Sequence, residues 1–363
     1  MNQLRAIIPG LAVAALLAAA SQWTAGWLGT SVLGLEKSPV SAIMLAILVG
    51  LAIGNLWDLP TAIRSGLRFA QTHVLRLGIV LLGLRLSLTE AGSIGLRSLP
   101  VILCTIGIAL LAVSYLGRRM GLPVKLGVLI GVGTSICGAT AIVATAPTIG
   151  ARDEEVSYAV GCIAIFGMLA MMLYPFAAHF LFQGDAVRSG MFLGTAVHDT
   201  AQVIGAGMAY QQYYGAAHTL EVATVTKMVR NLAMIAVIPA MAIMHRTAGQ
   251  PGTSAPRWYS LIPLFVVGFA AMSLLRTLGD SSAAASDGGS SLVFGFLSVE
   301  TWALAIQACG RFAEVLLATA MGAVGLSTNV EALRSIGVRP LLVALACAVL
   351  VGVVSAGLIS VLD

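Results

Sequence analysis

Charge is scarce in this chain. Asp, Glu, Lys and Arg make up 10% of 363 residues, whereas 58% are hydrophobic and the mean hydropathy is +0.96. A soluble domain carries about a quarter of its residues charged. A chain this poor in charge cannot cover itself for water, so its solvent is lipid. Two enzyme signatures are missing as well: no GxxxxGK[ST], which excludes ATP hydrolysis by a P-loop, and no HExxH, which excludes a zincin-type protease. The five cysteines, Cys104, Cys137, Cys162, Cys309 and Cys347, lie far apart inside apolar runs without a CxxC pair. Disulfide frameworks and metal sites want clustered ligands, so these read as small apolar fillers, and no metal or cofactor is expected. Ser135 and His198 lack the setting of a nucleophile elbow, so no enzyme is expected either.

The apolar runs set the architecture. A spanning helix needs ~20 mostly apolar residues. Such runs occur at about 5–22, 39–56, 70–88, 99–117, 124–147, 156–182, 187–210, 219–245, 258–276, 301–327 and 338–361. They predict an all-α polytopic membrane protein of about 10–11 transmembrane helices, in a single domain over residues 1–363. The 40 glycines suit close helix packing and broken helices in a bilayer. The start, Met1 to Arg5 running into Ala18, Ala19 and Ala20, mimics a secretory signal but is expected to remain as the first span. The Ser/Gly/Ala stretch from Ser281 to Ser291 is expected to be a flexible loop.

Lys and Arg in alternate loops give the orientation. With a cytoplasmic N-terminus the inside set is Arg5, Arg64, Arg68, Arg118, Arg119, Lys125, Arg188, Arg246, Arg257, Arg334 and Arg339, and the outside set is Lys37, Arg97, Arg152 and Arg276. That is 11 against 4, with Arg76, Arg85, Lys227, Arg230 and Arg311 left within spans. The basic excess is therefore topological, and no nucleic-acid partner is implied.

Two kinds of internal similarity stand out. Gly83 to Leu88 before Pro100 resembles Ala323 to Thr328 before Pro340, at an offset of 240 and an odd number of spans apart, as an inverted-topology repeat requires. Gly131 to Thr140, with Gly133, Thr134, Ser135, Cys137 and Gly138, lies in mid-span, and so does Gly194 to Gln202, with Gly194 and Thr195. Small and hydroxyl residues at this density let a helix break, and unwound backbone at membrane depth survives only where protein buries it or it lines a watery cavity. Exposed helix N-termini there attract anions; the plainer alternative is tight helix crossing.

Ionisable groups in hydrocarbon cost ~2.5–3.5 kcal/mol each at a helix centre, so several together suggest a pathway. Thr224, Lys227 and Asn231 share one helical face, with Arg230 beside them. Lys227 and Arg230 would give a bound anion two positive partners, unless Lys227 pairs with Glu221 or Asp199 or snorkels to an interface. His198 and Asp199, with Gln202, are the candidates for proton or sodium coupling. Gln307, Arg311 and Glu314 share another face, where an internal ion pair competes with a coupling role. His73, His179, His218 and His245 fall near predicted span ends.

At Gly133 to Ala141, Glu154-Glu155 with Tyr158-Ala159, Leu173-Tyr174-Pro175, His198 to Val203 before Gly205-Ala206-Gly207, and Lys227 to Arg230, the chain resembles the YeiH-type family of bacterial inner-membrane proteins, described as sulfate exporters. The resemblance runs from about Pro39 to the C-terminus. That family is similar to the bile acid:sodium symporter and cation:proton antiporter superfamily, which implies a core bundle with two crossing discontinuous helices beside a panel bundle. The expectation is an inner-membrane secondary transporter that exports a small anion by alternating access, coupled to a proton or sodium ion, with a homodimer common for such folds. Two Gly-Thr stretches only two spans apart would run parallel if both crossed fully, so either one is re-entrant or a crossing helix lies elsewhere. A cation:proton antiporter using Asp199 and Glu314 is the alternative mechanism, and a non-transporting receptor the alternative class.

Overall fold

A computed structural model describes residues 2–28, 31, 41–245, 261–284, 292–328 and 337–362, and the description below concerns these. The protein is an all-α polytopic membrane protein. Eight helices are long and apolar enough to cross a bilayer. They are α1 (Asn2–Trp27), the segment Thr61–Arg85, α5 (Leu88–Arg119), α8 (Asp153–Leu181), the segment Ala217–Met244, α13 (Leu264–Ala284), α14 (Val299–Ser327) and α15 (Val338–Leu362). Thr61–Arg85 joins α3 (Thr61–Phe69) through a wide turn to α4 (Leu75–Leu82) and one 3-10 turn, Gly83–Arg85. Shorter apolar helices are α2 (Ala42–Leu56), α6 (Val124–Ser135) and α7 (Ala139–Ile149). Of the loop expected at Ser281–Ser291, residues 281–284 instead end α13, and 285–291 lie outside the described residues.

The chain forms two compact units, residues 1–95 with 263–327, and residues 96–262 with 328–363. In the first, α1, α2 and α4 gather around α14, and their backbones approach closely because glycines stand at the crossings. A Cβ on Gly10 of α1 would strike the backbone of Ile63 and Gly66 on α3, and one on Gly66 would strike Ile7 and Gly10. Such close crossings are how apolar helices gain contact where lipid offers no hydrophobic drive. The two similar stretches at an offset of 240 both close a helix in this unit: Gly83–Arg85 before α5, and the end of α14.

The second unit departs from the expected spans in an instructive way. Segments 124–147 and 187–210 are not single helices; each turns back on itself as a hairpin. Lys125 at the start of α6 donates to the Gly150 carbonyl at the end of α7 at 2.6 Å, and Gly133 packs on Ile142, so α6 and α7 are antiparallel. Ser189 at the start of α9 (Ala186–Ala196) donates to the Tyr210 hydroxyl late in α10 (Thr200–Tyr214) at 3.1 Å, which makes a second hairpin. The helix that reads both is α11 (Ala217–Leu232), continued by α12 (Met234–Met244). Gly190 and Gly194 of α9 meet residues 219–222 and 223–226 in turn, a parallel packing, while Gly207 of α10 meets Leu220 and Thr200 meets Asn231, an antiparallel one. The second hairpin thus opens toward the start of α11. The first opens toward the end of α12, where Val124 and His245 line one cleft with Arg118. The tips meet near the α11–α12 junction, where Cys137 Sγ lies 3.2 Å from Met234 Sδ. Two hairpins entering from opposite ends remove the parity conflict of the sequence.

Candidate functional site

Each tip is a short non-helical link. Ile136 (φ −123°, ψ −94°) leaves α6 and Gly138 (φ 69°, ψ −128°) starts α7; Val197 (φ −82°, ψ 138°) leaves α9 and Asp199 (φ −96°, ψ 149°) starts α10. Hydroxyls loosen the turns before the breaks by bonding back to them, Thr195 Oγ1 to the Met191 carbonyl at 2.7 Å and Ser135 Oγ to that of Val132 at 3.3 Å. Ser135 therefore does not pair with His198. The left-handed φ of Gly138 suits glycine alone, and a Cβ there would stand 2.9 Å from Asp199 Oδ2. Gly138→Ala is expected to cost ~1–3 kcal/mol of backbone strain and to displace Asp199. Thermal unfolding of the purified variant checks this; an unchanged midpoint would contradict it.

The carbonyls orphaned where α6 and α9 stop are met by two fully buried cations. Lys227 is 1% exposed and Arg230 0%. Lys227 Nζ donates to Ile136 at 2.8 Å, to Val197 at 3.1 Å and to the His198 carbonyl. Arg230 donates through Nε to Ser135 at 2.7 Å, through Nη1 to Thr195 at 2.7 Å and Val197 at 3.1 Å, and through Nη2 to Thr134. Three acceptors around Nζ match the three protons of an ammonium, and cations suit the negative ends of helices. Against the expectation that Lys227 and Arg230 offer their protons directly to an anion stands a competitor: the backbone of the tips takes three contacts from Lys227 and four from the five N–H donors of Arg230. Nor does Lys227 form an ion pair with Glu221, which meets His218 at 3.2 Å.

The other candidates separate. Asp199 is half-buried, its Oδ1 accepts from Ala201 N at 2.9 Å to cap α10, and its own amide donates to Gln202 Oε1 at 3.2 Å. Gln202 Nε2 reaches the Ala164 carbonyl of α8 at 3.3 Å, and its amide fills the space beside Gly167. The His198 ring is 1% exposed and neither nitrogen completes a hydrogen bond of ordinary geometry, although the Thr134 backbone lies close. Gly133, Thr134, Ser135, Cys137, Gly138, Gly194 and Thr195 all surround the tips. Arg311 and Glu314 belong to the first unit, where Arg311 is exposed and Glu314 pairs with Arg85 at 2.7 Å.

Sequence reasoning placed Asn231 on the right face without giving it a role, and passed over Thr200 and the carbonyls of Ile136 and Val197. A usable signal existed: shifting by 61 residues lays Gly133-Thr134-Ser135-Ile136 on Gly194-Thr195-Ala196-Val197, the two half-helix ends that the cations hold.

The family model described as Conserved hypothetical protein 698 matches residues 9–344. A UPF0324 membrane protein of Streptococcus agalactiae is 34% identical over 342 residues, covering 94% of this chain and 93% of that protein. The UPF0324 inner membrane protein YeiH of Salmonella typhi is 31% identical over 348 residues, covering 93% and 89%. No solved structure matches.

Proposed function

The chain belongs to the family described as Conserved hypothetical protein 698, and from that premise we propose that it is a secondary transporter of a small anion, sulfate-like or a small organosulfonate or carboxylate, working by alternating access with proton or sodium coupling. One observation carries this reading: two buried cations, Lys227 and Arg230, hold the meeting of two hairpin tips, and a single carboxylate, Asp199, stands by Lys227. With all three ionised the tips carry a net charge of +1, which favours a negative partner and opposes a cation. Cation exchange through Asp199 and Glu314 loses support, because Glu314 is committed to Arg85. The outward direction rests on the resemblance.

The orientation keeps its support once the hairpins are drawn. The first hairpin returns to the side it left, so Arg152 joins Lys125, and Arg188 moves to the opposite side; the Lys/Arg bias stays at 11 against 4 and favours a cytoplasmic N-terminus.

Thermal stabilisation of the detergent-purified protein tests the function. Sulfate, sulfite and methanesulfonate are supplied as N-methylglucamine salts, and sodium as gluconate, at pH 6 and pH 8. A ligand at 100 times its Kd stabilises by about 2.7 kcal/mol. A rise of the unfolding midpoint with at least one of the anions is expected. A response to sodium or pH alone would replace anion transport by cation exchange.

A further inference from the structure

The two helices that start at the tips are not equivalent. α10 begins on its own acid, Asp199, whose carboxylate and whose partner Gln202 occupy its first turn. α7 begins on Gly138, and no side chain caps its 11 residues. The Ala141 amide faces the Cys137 sulfur, which leaves the amides of Ala139 and Thr140 as the uncapped positive end.

A second observation points to the same place. Asn231 is 2% exposed, its Nδ2 lies 3.3 Å from Thr200 Oγ1, and its Oδ1 has no partner. Exchanging the amide oxygen and nitrogen leaves the same picture, since the Thr200 hydroxyl can donate as well as accept. Either way one atom of a buried carboxamide is open, a cost of ~1–3 kcal/mol unless something satisfies it. Asn231 near the end of α11 and Met234 at the start of α12 stand three residues apart across the junction, and Met234 touches Cys137. The junction therefore lies between the start of α10, which Asn231 meets at Thr200, and the tip that launches α7, where Asp199 Oδ2 would stand 2.9 Å from a Cβ on Gly138. Access agrees: residues 134–138 and 194–198 are buried, whereas Ala139, Asp199 and Thr200 are half-buried and Thr140 is exposed.

We propose that the anion sits at the N-terminus of α7, held by the amides of Ala139 and Thr140, with the Thr200 hydroxyl and the Asn231 carboxamide closing the seat. Lys227 and Arg230 act on it from behind, by charge alone. This rests on the anion reading above and adds to it a location and a class: a compact oxyanion, whose several acceptor oxygens match several converging donors. Asp199 at the rim excludes ligands that bring a second carboxylate against it.

The test compares wild type, Asn231→Leu and Asn231→Asp as full-length purified proteins, titrated with sulfate and with methanesulfonate. Asn231→Leu removes an open polar atom, so its midpoint without anion should equal or exceed that of wild type, while its affinity falls at least ~10-fold. Asn231→Asp places a carboxylate in the seat and should abolish binding. Wild-type affinity in both Asn231 variants overturns the seat while leaving anion transport standing. A lower midpoint in Asn231→Leu with unchanged affinity also overturns it, by making Asn231 merely structural. No response to either anion in the wild-type protein defeats the functional reading itself, and the seat with it.

Discussion

Lys227→Met is expected to yield far less folded protein than wild type, and what is recovered should not transport. The substitution removes three hydrogen bonds and leaves the carbonyls of Ile136 and His198 buried without partners, Val197 keeping only Arg230 Nη1. Breaking one side of a buried charged interaction costs ~3–5 kcal/mol, and a native state holds only ~5–15 kcal/mol in reserve. Arg230→Ala should be at least as severe, since four donor contacts to Thr134, Ser135, Thr195 and Val197 are lost. Both tips are held by the same two side chains, so the hairpins should loosen together. Amide hydrogen exchange of the peptides covering 133–140 and 194–202 checks this in either variant. Faster exchange in one tip only would mean that the cations do not join them.

Asp199→Asn should give the opposite pattern, a protein that folds well but has lost its coupling. Asn is about as good an N-cap as Asp, so the bond to Ala201 N survives. The carboxylate that could carry a proton or a sodium ion is gone, and the fixed charge at the tips rises from +1 to +2. The charged and titratable groups facing Asp199 are Lys227 and Cys137, with His198 beside it in the chain. None of these changes, so the altered pH or sodium dependence is assignable to Asp199. Anion-induced stabilisation should persist or strengthen, while its dependence on pH or sodium disappears. Retained coupling in Asp199→Asn would move that role elsewhere; loss of anion binding would make Asp199 part of the seat.

Among the described residues each of the eleven apolar runs contains helix, and Gly-Thr density located both breaks. Re-entrance was not legible for a physical reason. A run such as 124–147 is long enough to cross, and hydropathy does not distinguish going through from going in and back; only the parity of the two Gly-Thr stretches hinted at it. The roles of Lys227 and Arg230 were half legible. Their depth follows from the sequence, but whether a buried cation faces a ligand or the backbone depends on where helices stop, and α6 and α9 stop within reach. Glu314 shows the same limit: Arg311 is its neighbour on the helix, yet its partner Arg85 is 229 residues away.

Counterflow in proteoliposomes tests the central claim most directly. Vesicles loaded with unlabelled sulfate, sulfite or methanesulfonate are diluted into a trace of the same anion carrying 35S. The account predicts transient accumulation of label for at least one of the three, absent from empty liposomes and from Lys227→Met. No accumulation of any of them, alongside a sodium flux driven by a pH gradient and abolished in Asp199→Asn, would contradict it.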